Sequence, residues 1–130
     1  MGKPRVLLVE DDEPSARLLR RALELRYDVT LAADGEEGLE RAQRDPPPDV
    51  IVTDIQMPRM DGVTMASELK HLDATRHIPI VFLTSHDRLE DLVAAIGAGA
   101  RRWLTKPVAV DALERAVEQS LVPRRRPGRA

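Results

Sequence analysis

The chain has 130 residues and no cysteine, with 42% hydrophobic, 2% aromatic and 32% charged residues and a formal net charge of −2. That length holds one domain with a single core, and the lack of cysteine removes disulfides and thiol catalysis. No apolar run nears the roughly 20 residues that span a bilayer, and Met1-Gly2-Lys3-Pro4-Arg5 lacks the apolar stretch of a signal peptide, so no membrane role is expected and the cytoplasm is the default compartment.

Residues 5–9 form an apolar run after Arg5, as a strand covered on both faces should. It runs into Glu10-Asp11-Asp12. Glu13-Pro14-Ser15 opens a helix with Pro in its first turn, and Leu18, Leu19, Ala22, Leu23 and Leu25 give it an apolar stripe. Residues 28–32 are a short β-branched run, and Asp34 caps a helix over 36–44. Pro46-Pro47-Pro48 stops that helix and sends the chain extended into a strand over 49–53, which ends at Asp54. The loop Met57-Pro58-Arg59-Met60-Asp61-Gly62 leads to a helix reaching about Leu72, a region in which Met57, Met60 and Met65 pack.

The fourth strand covers 78–83 and ends at Thr84-Ser85. A helix over about 88–96 stops at Gly97-Ala98-Gly99, where glycine takes the left-handed C-cap conformation. Residues 101–105 form a fifth strand ending at Lys106-Pro107, and 110–121 a last helix with Leu113, Ala116, Val117 and Leu121 inward. Residues 122–130 carry four Arg and no acid, so removing their charge leaves about −6 on residues 1–121. This basic end reads as a flexible tail or the start of a linker.

Five strand–helix units predict an α/β fold: a parallel sheet with right-handed crossovers and helices on both faces. The carboxyl ends of such strands lie side by side, where open sheets bind ligands. Asp11, Asp12, Asp54, Thr84 and Lys106 therefore gather on one edge. Three carboxylates there repel one another, and a divalent cation relieves that repulsion. Every candidate ligand is oxygen, so a hard ion such as Mg²⁺ fits. The ammonium of Lys106 and the hydroxyl of Thr84 suit the phosphate oxygens that Mg²⁺ tends to accompany. Taken singly, each residue has a plainer reading: Asp11 and Asp12 as caps of the first helix, Thr84 as a β-branched strand residue, Lys106-Pro107 as a turn.

Together, over about residues 3–121, these residues resemble the receiver domain of bacterial two-component response regulators, of the single-domain, chemotaxis-regulator-like type. Asp11-Asp12 resembles the acidic pair, Asp54 the phospho-acceptor, Thr84 the switch hydroxyl and Lys106 before Pro107 the lysine. Residues 54–62, reading DIQMPRMDG, are similar to the loop after the acceptor. The resemblance implies a doubly wound (βα)5 flavodoxin-like three-layer sandwich with strand order 2-1-3-4-5.

It also implies a switch, not an enzyme acting on outside substrates. Asp54 would take a phosphoryl group from a histidine kinase or histidine phosphotransfer protein. Asp12, Asp54 and the Gln56 backbone carbonyl would hold Mg²⁺ directly, with Asp11 acting through water. Thr84 would move toward the phosphoryl oxygen and Trp103 into the space it leaves, biasing the surface of the fourth helix, fifth strand and fifth helix. Gln56 and His86 would flank the path of the hydrolytic water and tune the phosphoryl lifetime. A homodimer formed on phosphorylation is compatible with this scheme, and the downstream protein target is not named by it.

Other readings are weaker. His71 and His77 have no metal-ligand spacing and read as surface residues. Gly97-x-Gly99 follows a helix and has Arg102 where a dinucleotide loop needs its third glycine. Phosphatases with an aspartate nucleophile want a second acid two residues on, where Gln56 stands. The Arg-rich tail without a DNA-reading motif does not predict specific nucleic-acid binding. A binding module with a vestigial acceptor is disfavoured by the presence of Asp11, Asp12, Thr84 and Lys106.

Overall fold

Strand and helix alternate five times in the computed structural model, which describes residues 2–85 and 89–121. The order is β1 (Arg5–Val9), α1 (Glu13–Glu24), β2 (Asp28–Ala32), α2 (Gly35–Ala42), β3 (Val50–Asp54), α3 (Gly62–Lys70), β4 (Ile80–Thr84), α4 (Leu89–Gly97), β5 (Arg102–Thr105) and α5 (Val110–Leu121). All strand pairs are parallel and the sheet order is β2-β1-β3-β4-β5. The register sets Val9 beside Thr53, Asp54 beside Leu83 and Thr84 beside Thr105, so the strands end together. This is the expected doubly wound, three-layer arrangement.

Strand alternation divides the core. Val6, Leu8, Val50, Val52, Val81 and Leu83 pack against Leu19 and Leu23 of α1 and Leu113, Ala116 and Val117 of α5. Leu7, Val9 and Ile51 face the other way, onto Ala42 of α2 and Met65 and Leu69 of α3. Successive Cβ atoms point to opposite sides, and a strand with helices on both sides must therefore be apolar throughout. Asp12, Asp34 and Asp61 cap α1, α2 and α3, each side chain accepting from the backbone N–H three residues on.

Some local expectations shift. The inward face of α1 is Ala16, Leu19 and Leu23, while Leu18 and Leu25 are 64% and 80% exposed. At about 100° per residue Leu18 lies well off the direction of its neighbour Leu19, and Leu25 is the C-cap, past the last turn. α2 ends at Ala42 and α3 at Lys70, each about two residues early. β4 begins at Ile80, after Pro79, and extends through Thr84; β3 extends through Asp54. Met65 is fully buried with Met57 and Met60 partly buried beside it, Leu121 packs against the core, and His71 and His77 are exposed. Gly99 adopts φ 96°, as a glycine past a helix end should. No helix among the described residues is long and apolar enough to cross a membrane.

Candidate functional site

Asp54 is the last residue of β3, in the middle of the sheet, and is only 6% exposed. A buried carboxylate needs partners, and it has two. Its Oδ2 accepts from Lys106 Nζ at 2.7 Å, and its Oδ1 accepts from the Ile55 backbone N–H at 3.0 Å. Lys106 follows β5 directly, and its own backbone N–H donates to the Thr84 carbonyl at 2.7 Å, pinning the two strand ends together. The Lys106–Pro107 peptide is cis.

Leaving β3, the chain makes a closed loop: the Gly62 N–H donates to the Ile55 carbonyl at 2.8 Å. A Cβ on Gly62 would run into the Asp54 carbonyl. Backbone cannot yield as a flexible side chain can, so Gly62→Ala is expected to destabilise the fold by about 1–3 kcal/mol, read as a lower urea midpoint with an unchanged slope.

The acidic cluster differs from expectation in one member. Carboxylate oxygens of Glu10, Asp11 and Asp54 lie within 4.8 Å of one another. Asp12 is not among them. Its Oδ2 accepts from the Ser15 N–H at 3.1 Å and the Ser15 hydroxyl at 2.6 Å, closing the first turn of α1, and these bonds hold its carboxyl below the usual range. The plain capping role thus applies to Asp12, and Glu10 stands in the cluster instead. A signal for this lies in the sequence: an acid three residues before Ser15 reads as an N-cap, which leaves Glu10 and Asp11 as the remaining pair of the acidic run.

Glu10 is buried. Its Oε2 accepts from the Asp12 N–H at 3.1 Å, while its Oε1 has no hydrogen-bond partner. Lys106 Nζ stands 3.6 Å from that oxygen, close enough for charge attraction and too far for a hydrogen bond. Burial, and then the charge of Asp54, push the Glu10 carboxyl up to about 7. Burial acts to lower Lys106, but the hydrogen bond to Asp54 and the charges of Asp54 and Glu10 outweigh it, and the ammonium is held above its usual range.

The raised Glu10 makes stability depend on pH. Its folded value of about 7 exceeds its ordinary 4.5, so between those values the folded state holds more proton than the unfolded chain. Stability therefore falls as pH rises through that window. Glu10→Gln is expected to flatten the slope and to raise the unfolding free energy of metal-free protein at pH 8 by on the order of 1–3 kcal/mol. Urea titrations at pH 5 and pH 8 measure both effects.

An all-oxygen donor set with an unpartnered buried carboxylate oxygen suits a hard divalent ion. Thr84, 5% exposed, ends β4, and its hydroxyl lies 3.4 Å from the Ser85 carbonyl. Trp103, beside Phe82 in the register, is 38% exposed on the outer strand. Gln56 is exposed, and its amide donates to both carboxylate oxygens of Asp91 on α4, at 3.1 and 3.0 Å, a partner the sequence did not indicate. His86 and the tail at 122–130 lie outside the described residues.

The chain matches the family model described as the response regulator receiver domain over residues 6–118. It is 43% identical over 105 residues to response regulator PleD of Caulobacter vibrioides, an alignment covering 80% of this chain and 23% of PleD. It is 41% identical over 110 residues to response regulator MprA of Mycobacterium leprae, covering 84% of this chain and 47% of MprA. The chain thus spans less than half the length of these relatives. Among solved structures, chemotaxis response regulator CheY4 of Vibrio cholerae superimposes with a TM-score of 0.83 at 30% identity, over 92% of this chain and all of that one.

Proposed function

The chain belongs to the response regulator receiver family of two-component signalling, and from that membership we propose that residues 1–121 form a phospho-accepting switch centred on Asp54. The observation that carries the reading is the 2.7 Å contact of Lys106 Nζ with Asp54 Oδ2, beside the Glu10–Asp11–Asp54 cluster. A carboxylate at a strand end, held by an ammonium and flanked by two acids, is placed to act as a nucleophile toward phosphorus.

Asp54 attacks the phosphorus of a phosphohistidine on a histidine kinase or phosphotransfer protein. An O–P bond forms, the P–N bond breaks with its electron pair returning to the imidazole, and the product on this chain is an acyl phosphate. Glu10, Asp11 and Asp54 are the residues whose side chains would hold Mg²⁺, with the Gln56 carbonyl as a further donor. Mg²⁺, when bound, neutralises charge on the transferring group. Lys106 moves its ammonium from the carboxylate to a phosphoryl oxygen, keeping that charge compensated.

Thr84 supplies a hydroxyl donor to a second phosphoryl oxygen. Its shift opens room toward which Trp103 turns, and the α4-β5-α5 face changes as a bistable element. Val93, Ile96, Trp103 and Val110 expose apolar surface there, suited to a downstream protein or a second copy of the chain. Gln56 and His86 set how readily water reaches the acyl phosphate. The chain works in the cytoplasm and transforms no outside substrate.

The test is incubation with acetyl phosphate and analysis of the intact mass. One added phosphoryl group with Mg²⁺ and none with chelator is the expected result. Labelling that ignores Mg²⁺, or that maps away from Asp54, would overturn the reading.

A further inference from the structure

β5 closes the sheet on one side: it pairs with β4, and no strand lies beyond it. The Lys106 N–H donates to the Thr84 carbonyl, toward β4. Along a strand the backbone groups of successive residues turn to opposite edges, so Trp103 and Thr105 direct their N–H and carbonyl groups outward. No loop or turn among the described residues pairs with them. The outer edge of β5 is therefore open to another strand.

On the α5 side of this edge lies a groove of about 340 Å³, bounded by Arg102 and Leu104 of β5 and by Ala112, Arg115 and Gln119 of α5, with no acidic residue in its lining. Leu104 packs against the core that α5 covers, and Arg102, two residues earlier, shares that side of the strand. Arg17, Arg20 and Arg41 each pair with a glutamate one helical turn away. Arg115 makes no such pair with Asp111, and neither it nor Arg102 forms an ion pair among the described residues. Two cations without acids beside an open strand edge are a field that a carboxylate relieves.

We propose that the β5 edge takes an acidic, extended segment of a partner protein as a sixth strand. Its backbone pairs with Trp103 and Thr105. Its alternate side chains all turn to the α5 side, where carboxylates meet the guanidinium groups of Arg102 and Arg115. A second copy of the chain pairing through the same edge would set arginines against arginines, and like charges across a strand pair are unfavourable. The charge that keeps copies apart thus selects an acidic partner. As an output contact this rests on the switch reading of Asp54, but strand addition is measured without labelling, so the two fail separately.

Titration of the full chain with a synthetic peptide in which Glu alternates with Val and Thr tests it, read by the fluorescence of Trp103, the only tryptophan in the sequence. A peptide of the same composition with its Glu residues in one block, and the alternating peptide with Lys for Glu, are titrated beside it. Saturable binding of the alternating peptide is expected, at least about fivefold tighter than the block peptide, with none of the Lys peptide. Arg115→Glu, on the exposed face of α5, should weaken it at least about tenfold and Arg102→Gln several-fold. Both variants should keep the circular dichroism and Asp54 labelling of the parent. Absence of binding at millimolar peptide would overturn the proposal. So would block and alternating peptides binding alike, which would mean charge attraction without strand pairing, or unchanged binding in both variants, which would point to the Arg-rich tail.

Discussion

Asp54→Asn is expected to accept no phosphoryl group from acetyl phosphate in Mg²⁺, a loss on the order of 10³-fold or more. The amide has nearly the carboxylate's shape, so its oxygen can still accept from the Ile55 N–H and the β3 end can keep its place. What disappears is the negative charge that makes the oxygen a nucleophile. The substitution also removes one of the charges that push Glu10 up and the anionic partner of Lys106. Those two changes act in opposite directions on stability, and the folded state is expected to survive within about 1–2 kcal/mol of the parent. A folded protein that cannot be labelled then reports on chemistry alone. Intact-mass measurement beside a urea titration decides it, and retained labelling in a folded Asp54→Asn variant would remove Asp54 from its assigned role.

Lys106→Met should produce the second large effect, on stability and rate together. Lys106 is the cation that faces both Glu10 and Asp54. Without it two buried carboxylates confront each other, and breaking a buried pair from one side leaves an uncompensated charge. Because the Lys106 side chain is 32% exposed, water offsets part of the loss, and a fall of about 1–3 kcal/mol at pH 8 is expected. Glu10 should then titrate above its present value of about 7, so most of the deficit should vanish at pH 5, where Glu10 is protonated. Adding Glu10→Gln should recover stability at pH 8 without recovering labelling. A Lys106→Met protein as stable at pH 8 as at pH 5 relative to the parent would contradict this electrostatic account.

The architecture was readable because its signals are local and repeated. Five apolar runs of strand length, each followed by a helix-period stripe, leave few topologies once crossovers are right-handed. Asp54, Thr84 and Lys106 were readable for the same reason, as polar residues that end the strands of a parallel sheet must lie at its carboxyl edge. The strand order β2-β1-β3-β4-β5, anticipated from the family resemblance, places Asp54 in the middle of that edge.

Within the acidic run Glu10-Asp11-Asp12, composition cannot say which carboxylates turn inward, since all three carry the same charge one residue apart. The exit of β1 buries Glu10, and the free N–H groups of α1 compete for Asp12 through Ser15. That competition is between a local hydrogen bond and a long-range cluster, and only the assembled fold brings Asp54 and Lys106 close enough to take part. The Gln56–Asp91 bridge has the same origin: it depends on what a neighbouring element presents. Sequence periodicity alone determined which elements form and which of their ends meet. Tertiary packing decided which of several chemically equivalent side chains points into the site, because that choice rests on distances between residues far apart in the chain.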